Sequence, residues 1–162
     1  MVMSVTEAVV EIVVDSGSVA NVCPPEFGAE FGFTSDSVPK LFNVNYEALK
    51  CYGMRKVFIL LRCDDGTWLQ ATILFVVANV AYPVLSVGKV ISNGYTGVFA
   101  PTGSFIAQNG RRVGVQTRGK TFILEGKLGT TAGQKHRSGS TWLHPLPGCL
   151  GQASRQETQT TR

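Results

Sequence analysis

Apolar residues run almost unbroken from Val9 to Val14, interrupted only by Glu11, and the run ends directly at Asp15. That pattern predicts a buried or half-buried strand. Ser18 to Val22 reads as a second extended piece, Pro24-Pro25 forces a turn, and Glu26 to Pro39 has the Gly, Ser and Phe content of a loop. Leu41 to Tyr52 is strand material around a turn at Asn45-Tyr46, Gly53 punctuates it, and Lys56 to Cys63 follows as an apolar strand. Asp64-Asp65-Gly66-Thr67 has hairpin-turn composition, because Asp-Gly tolerates the positive φ such turns require. The returning strand, Trp68 to Val77, is largely apolar on both faces, which suits a strand between two layers. Trp68, Phe58 and Phe75 are expected in the core.

After Pro83 the period changes. Leu85, Val87, Val90 and Ile91 fall on one helical face, with Ser86 placed to cap the start and Gly94 the end. A short helix is predicted there. Tyr95–Phe99, Ser104–Ala107, Arg111–Val115 and Thr121–Leu124 read as short strands, joined by good turn chemistry at Pro101-Thr102-Gly103 and Asn109-Gly110. From Gly126 onward Gly, Ser, Thr and Gln dominate, apart from a patch at Trp142–Pro147. The expected class is all-β with one short helix. A domain is expected over 1–125, with a flexible basic tail over 126–162.

Composition adjusts this picture modestly. With 162 residues, 44% hydrophobic and 16% charged, the chain suits one globular domain rather than a disordered one. No apolar run reaches the ~20 residues that span a bilayer, and the first residues do not follow a signal-peptide pattern. A cytoplasmic chain, or a piece of a polyprotein or particle, is expected, with no membrane partner. The four cysteines, Cys23, Cys51, Cys63 and Cys149, lack paired spacing, and His136 and His144 have no second ligand close by. Free thiols are expected and no metal site.

The net charge of +4 is concentrated late: Arg111, Arg112, Arg118, Lys120, Lys127, Lys135, Arg137, Arg155 and Arg162 face only Glu125 and Glu157. Nucleic acid is one partner for such a segment, through phosphate neutralisation. No interleaving of aromatic and basic residues marks a binding face along it, which favours a solvated tail.

Chemistry centres on Asp15-Ser16-Gly17. An apolar strand running into Asp-[Ser/Thr]-Gly is the arrangement of an aspartic protease, in which two carboxylates about 3 Å apart share one proton around a water. The strand fixes the aspartate, the hydroxyl ties two active-site loops together, and the glycine lets backbone N–H groups approach the carboxylates. Over roughly residues 9–100 the chain resembles the retroviral-type aspartic protease family. The resemblance is carried by Val13-Val14-Asp15-Ser16-Gly17-Ser18, the hairpin Lys56–Val77, and Pro83-Val84-Leu85-Ser86-Val87 leading into a helix. Leu85-Ser86-Val87-Gly88 followed by Gly94-Tyr95 and Val98-Phe99 is similar to copia-type retrotransposon polyproteins, where strands like those over 101–125 begin a linker.

The resemblance implies a small closed β-barrel or sandwich, with Asp15 as the catalytic carboxylate. It implies that Ser16 and Gly17 support the site and that Val84 and Leu85 pass beneath it. Within Phe42–Leu49, Asn43, Val44, Asn45, Tyr46 and Glu47 would form a flap over a polypeptide substrate, although the usual glycine at its tip is absent. Ser18 stands where the family usually has alanine, and Ser86 where viral members have glycine. Asp-Ser-Gly occurs once, and Asp36-Ser37-Val38 and Asp64-Asp65-Gly66 do not repeat it. One chain thus supplies half a site, and the expectation is a two-fold homodimer without cofactor. The alternative is a catalytically degenerate domain that serves in dimerisation or protein binding. A serine hydrolase built on Ser16 lacks a well-placed histidine.

Overall fold

The computed structural model describes residues 5–35 and 37–129, and over them the chain is all-β with one short α-helix. Strand β1 (Val5–Asp15) pairs antiparallel with β10 (Thr121–Gly129), from Val9 opposite Lys127 to Val14 opposite Phe122. The other edge of β1 pairs in parallel with β5 (Val84–Ser86). From β5 the order continues through β2 (Val22–Cys23), β4 (Trp68–Ala78) and β3 (Cys51–Arg62), and β3 returns to β10 at Leu60–Lys127 and Ile59–Leu128. Six strands therefore close into a ring, leaving β9 (Gln116–Arg118) on the outside of β10. Closure satisfies the strand edges that an open sheet would expose.

Alternation along these strands fills the barrel. Ile12 and Val14, Val57, Ile59 and Leu61, Ile73, Phe75 and Val77, and Leu85 and Leu124 share one core cluster, each at most 5% exposed. Each such aliphatic side chain contributes about 1.5–3 kcal/mol by leaving water. Phe75 meets Phe27 edge to face, with ring centroids 5.6 Å apart. Opposite that face of β4, Val76 packs with Val22 and Leu41 in a second, smaller cluster, so β4 does stand between two apolar layers.

A short helix, α1 (Val87–Ser92), forms in the expected segment, but of the face expected for it Leu85 lies in β5 and Ile91 is exposed. Ser86 caps it with an extended backbone and an Oγ that accepts from Lys89 N, and Gly94 follows with φ of 88°. Beyond it β6 (Thr96–Val98), β7 (Phe105–Gln108) and β8 (Arg111–Gly114) form a second sheet. Asn109 and Gly110 turn the β7–β8 hairpin, both with positive φ. Tyr95, Ile106, Val113 and Val115 carry that sheet into the barrel's own core cluster.

Several expectations change. The strand expected over Thr121–Leu124 runs on to Gly129, so the segment expected to leave the domain at Gly126 begins inside the barrel wall. Gly126 is there for closeness: a Cβ on it would stand 2.7 Å from Ile59 Cγ2 and 2.9 Å from Leu60 O. Of the strands read as a linker, β10 pairs with β1 in the barrel wall and β9 pairs with β10 outside the ring. The extended piece expected over Ser18–Val22 is reduced to Val22–Cys23, with Asn21 just ahead of it bonded through its side chain to the flanking strands β4 and β5. Trp68, expected in the core, is 41% exposed, since it lies on the outward face at the start of β4.

Candidate active site

Strand β1 ends at Asp15, where the chain turns away from the barrel. The Asp15 side chain is exposed, and its Oδ1 accepts the Gly17 N–H at 2.8 Å. A Cβ on Gly17 would sit 3.4 Å from that same oxygen, at the edge of ordinary contact. Ser16 is exposed beside it.

The support beneath this loop is β5. Val13 lies opposite Val84, Val14 opposite Leu85 and Asp15 opposite Ser86, and Val13 N donates to Pro83 O at 3.0 Å. Val84 is half-buried and Leu85 wholly buried, so the two residues expected under the site are adjacent to it in register.

Two residues give this support its rigidity, and sequence reasoning assigns one of them only a capping role and the other none. Ser86, 1% exposed, donates its hydroxyl proton to Ser18 O at 2.6 Å while the same oxygen caps α1. Ser86 N in turn donates to Asn21 Oδ1 at 2.8 Å, and Asn21 Nδ2 donates to Leu74 O at 3.2 Å. Asn21 O accepts from Val76 N. One buried amide thus links the chain after Asp15 to β5 and β4. The available signal is an asparagine set inside Val19-Ala20-Asn21-Val22-Cys23, a polar group in an apolar run that must find partners when buried.

After β2 the loop is pinned by Arg55 from β3. Its guanidinium is 3% exposed and donates to the carbonyls of Pro25, Phe27 and Gly32 at 2.7–3.0 Å. Next to it, burial pushes the Cys23 thiol up to about 12, with the Arg55 charge opposing that rise only in part.

The segment expected as a flap forms a small hairpin. Phe42 bridges Ala48, Leu49 N donates to Leu41 O, and Asn43 N donates to Glu47 O. Asn43 Oδ1 accepts from both Asn45 N and Glu47 N, which tightens the tip without a glycine. Tyr46 takes the left-handed position the turn needs, with φ of 64°. Val44 and Tyr46, at 91% and 88% exposure, point apolar surface away from the rest of the chain.

Asp36, His136, His144 and Cys149 lie outside the described residues. Among the described residues no three His, Cys, Asp or Glu side chains gather to hold a metal, and Cys23, Cys51 and Cys63 are free thiols. No helix among them is long and apolar enough to cross a membrane. A cleft of about 90 Å³ lies against Leu69, Tyr95, Ile106 and Arg111, none of which belongs to the Asp15 loop or its supports. Comparison of the chain with protein-family models, with curated proteins and with solved structures found no match.

Proposed function

We propose that the chain supplies half of an aspartic endopeptidase site and works as a two-fold homodimer, in the manner of the retroviral-type protease domains of copia-like retrotransposon polyproteins. One observation carries this reading. A lone Asp-Ser-Gly loop presents an exposed carboxylate, steered by the Gly17 amide, at the end of a strand held by neighbours on both sides.

In the dimer Asp15 and its symmetry mate share one proton. The ionised carboxylate takes a proton from a water held between the two, and the water oxygen attacks the scissile carbonyl. The protonated carboxyl gives its proton to the carbonyl oxygen. As the C–N bond breaks, the carboxyl that took the water's proton passes it to the leaving nitrogen, and the other carboxylate takes a hydroxyl proton from the tetrahedral intermediate, which restores the singly protonated pair. No metal and no covalent intermediate are needed. The Leu41–Leu49 hairpin, with its apolar tip, closes over an extended polypeptide substrate. Rate peaks at mildly acidic pH, where the pair holds a single proton.

The test is cleavage of an unstructured protein by wild type and Asp15→Asn at about pH 4–7, with and without a peptide-mimetic aspartic protease inhibitor. Loss of about 100-fold or more in the variant, together with inhibition of the wild type, supports the reading. Equal, negligible cleavage by two folded, dimeric samples replaces it with a non-catalytic dimerisation domain.

A further inference from the structure

Basic and aromatic residues that do not interleave along the sequence do so in space, at the turn end of the β3–β4 hairpin. Arg62 and Trp68 are directly opposite in register, and the Arg62 guanidinium lies 5.3 Å from the indole centroid. Lys127 reaches across from β10, its Nζ 5.8 Å from the same ring. Arg111 arrives from the second sheet and donates to Thr67 Oγ1 and to Trp68 O at 3.2 and 3.0 Å. Next to it, Arg112 stacks on Phe105 with 3.6 Å from its guanidinium carbon to the ring centroid.

The acidic residues of this region are largely engaged elsewhere. Asp64 faces Arg112 at 3.9 Å, and Asp65 accepts both the N–H and the hydroxyl of Thr67, which holds its carboxyl below the usual range. Glu11, on the outside of β1, is taken by Arg118 through two hydrogen bonds. Among the described residues neither Arg62 nor Lys127 is ion-paired with a carboxylate.

We infer that this surface docks single-stranded nucleic acid, with Trp68 as a stacking platform for one base and Arg62, Lys127 and Arg111 neutralising the phosphates on either side. An exposed indole flanked by two cations without carboxylate partners, Arg62 and Lys127, with Arg111 beside it and sharing its charge with Asp65, matches a polymer that alternates planar rings with negative charges. An acidic peptide satisfies the cations but leaves the indole face unused. A duplex keeps its bases stacked away from Trp68.

The full-length Trp142→Phe chain leaves Trp68 as the single tryptophan reporter. Titrated with a fluorescein-labelled oligouridylate of about 12 nucleotides, or its deoxythymidylate counterpart, it binds with quenching of Trp68 emission. Affinity falls with salt at a slope near −2 in log–log terms if about three phosphates are neutralised. Trp68→Ala weakens binding about tenfold or more, whereas Trp68→Phe retains most of it. Arg62→Ala with Lys127→Ala flattens the salt slope by roughly 1.4 and keeps the indole in place. Absence of binding at low salt overturns the inference. So does binding without Trp68 quenching that both sets of variants leave unchanged, which assigns it to the C-terminal segment. Equal competition by polyglutamate also overturns it, in favour of an acidic polypeptide.

Discussion

Asn21 is the residue on which the candidate site leans most. Its amide accepts from Ser86 N and donates to Leu74 O, so its removal strands the buried Ser86 N–H and takes a partner from the Leu74 carbonyl. Asn21→Ala is expected to cost about 1–3 kcal/mol, read as a lower urea midpoint with an unchanged m-value. Because Ser86 lies opposite Asp15, the same change is expected to loosen the Asp15 loop, visible as faster amide exchange at Gly17. Cys23 supplies the pH response. Its ordinary value is 9.0 and burial raises it to about 12, so the native fold keeps the thiol neutral where the unfolded chain ionises. That contribution is complete below about pH 9 and is lost as the pH rises from there towards 12. Wild type is expected to lose urea resistance across that window, and Cys23→Ala to lose less. The Asp15-Ser16-Gly17 loop and the Ser86 cap are legible in the sequence because each acts within a few residues. Asn21 is legible only in part: its place inside the apolar run Val19–Cys23 signals a polar group in need of partners, but the partner itself lies 65 residues away.

At the scale of elements, β10 decides whether the barrel closes. Its ladder pairing with β3 rests on Lys127 and Leu128 alone, whereas its pairing with β1 extends from Val9 to Val14. A chain ending at Glu125 keeps most of the β1 pairing and loses the whole junction with β3. It is expected to unfold at markedly lower urea than a chain ending at Gly129, with early exchange of the Ile59 and Leu60 amides. Equal stability of the two would remove β10 from the closing role. The sequence misplaces this boundary for a physical reason. Glycines at 126 and 129 read as the onset of a polar tail, yet here they let β10 press against Ile59, Leu60 and Phe58, where a side chain has no room. Helix α1 and the Asn109-Gly110 hairpin are predicted well because caps and left-handed turn residues are local devices. The Leu41–Leu49 hairpin departs from expectation for the opposite reason: the Asn43 side chain and Tyr46 supply what a glycine ordinarily would.

For the whole molecule, the all-β class follows from period-two patterning, but the ring does not. Closure depends on which short strands pair across long stretches of chain, and apolar alternation is silent on that choice. Trp68 shows the same gap from the other side: an indole reads as core by type, and its outward position is fixed only when β3, β4 and β10 meet.

The pairing of β1 with β10 also sets a clock. Val14 meets Phe122, so the first strand made waits for nearly the last before its second edge is covered. At about 5–20 residues per second of synthesis, the hundred or so residues between them take on the order of ten seconds to emerge. Throughout that interval Asp15 hangs from a half-clothed strand, so a nascent chain carries its carboxylate loop long before it can hold that loop still.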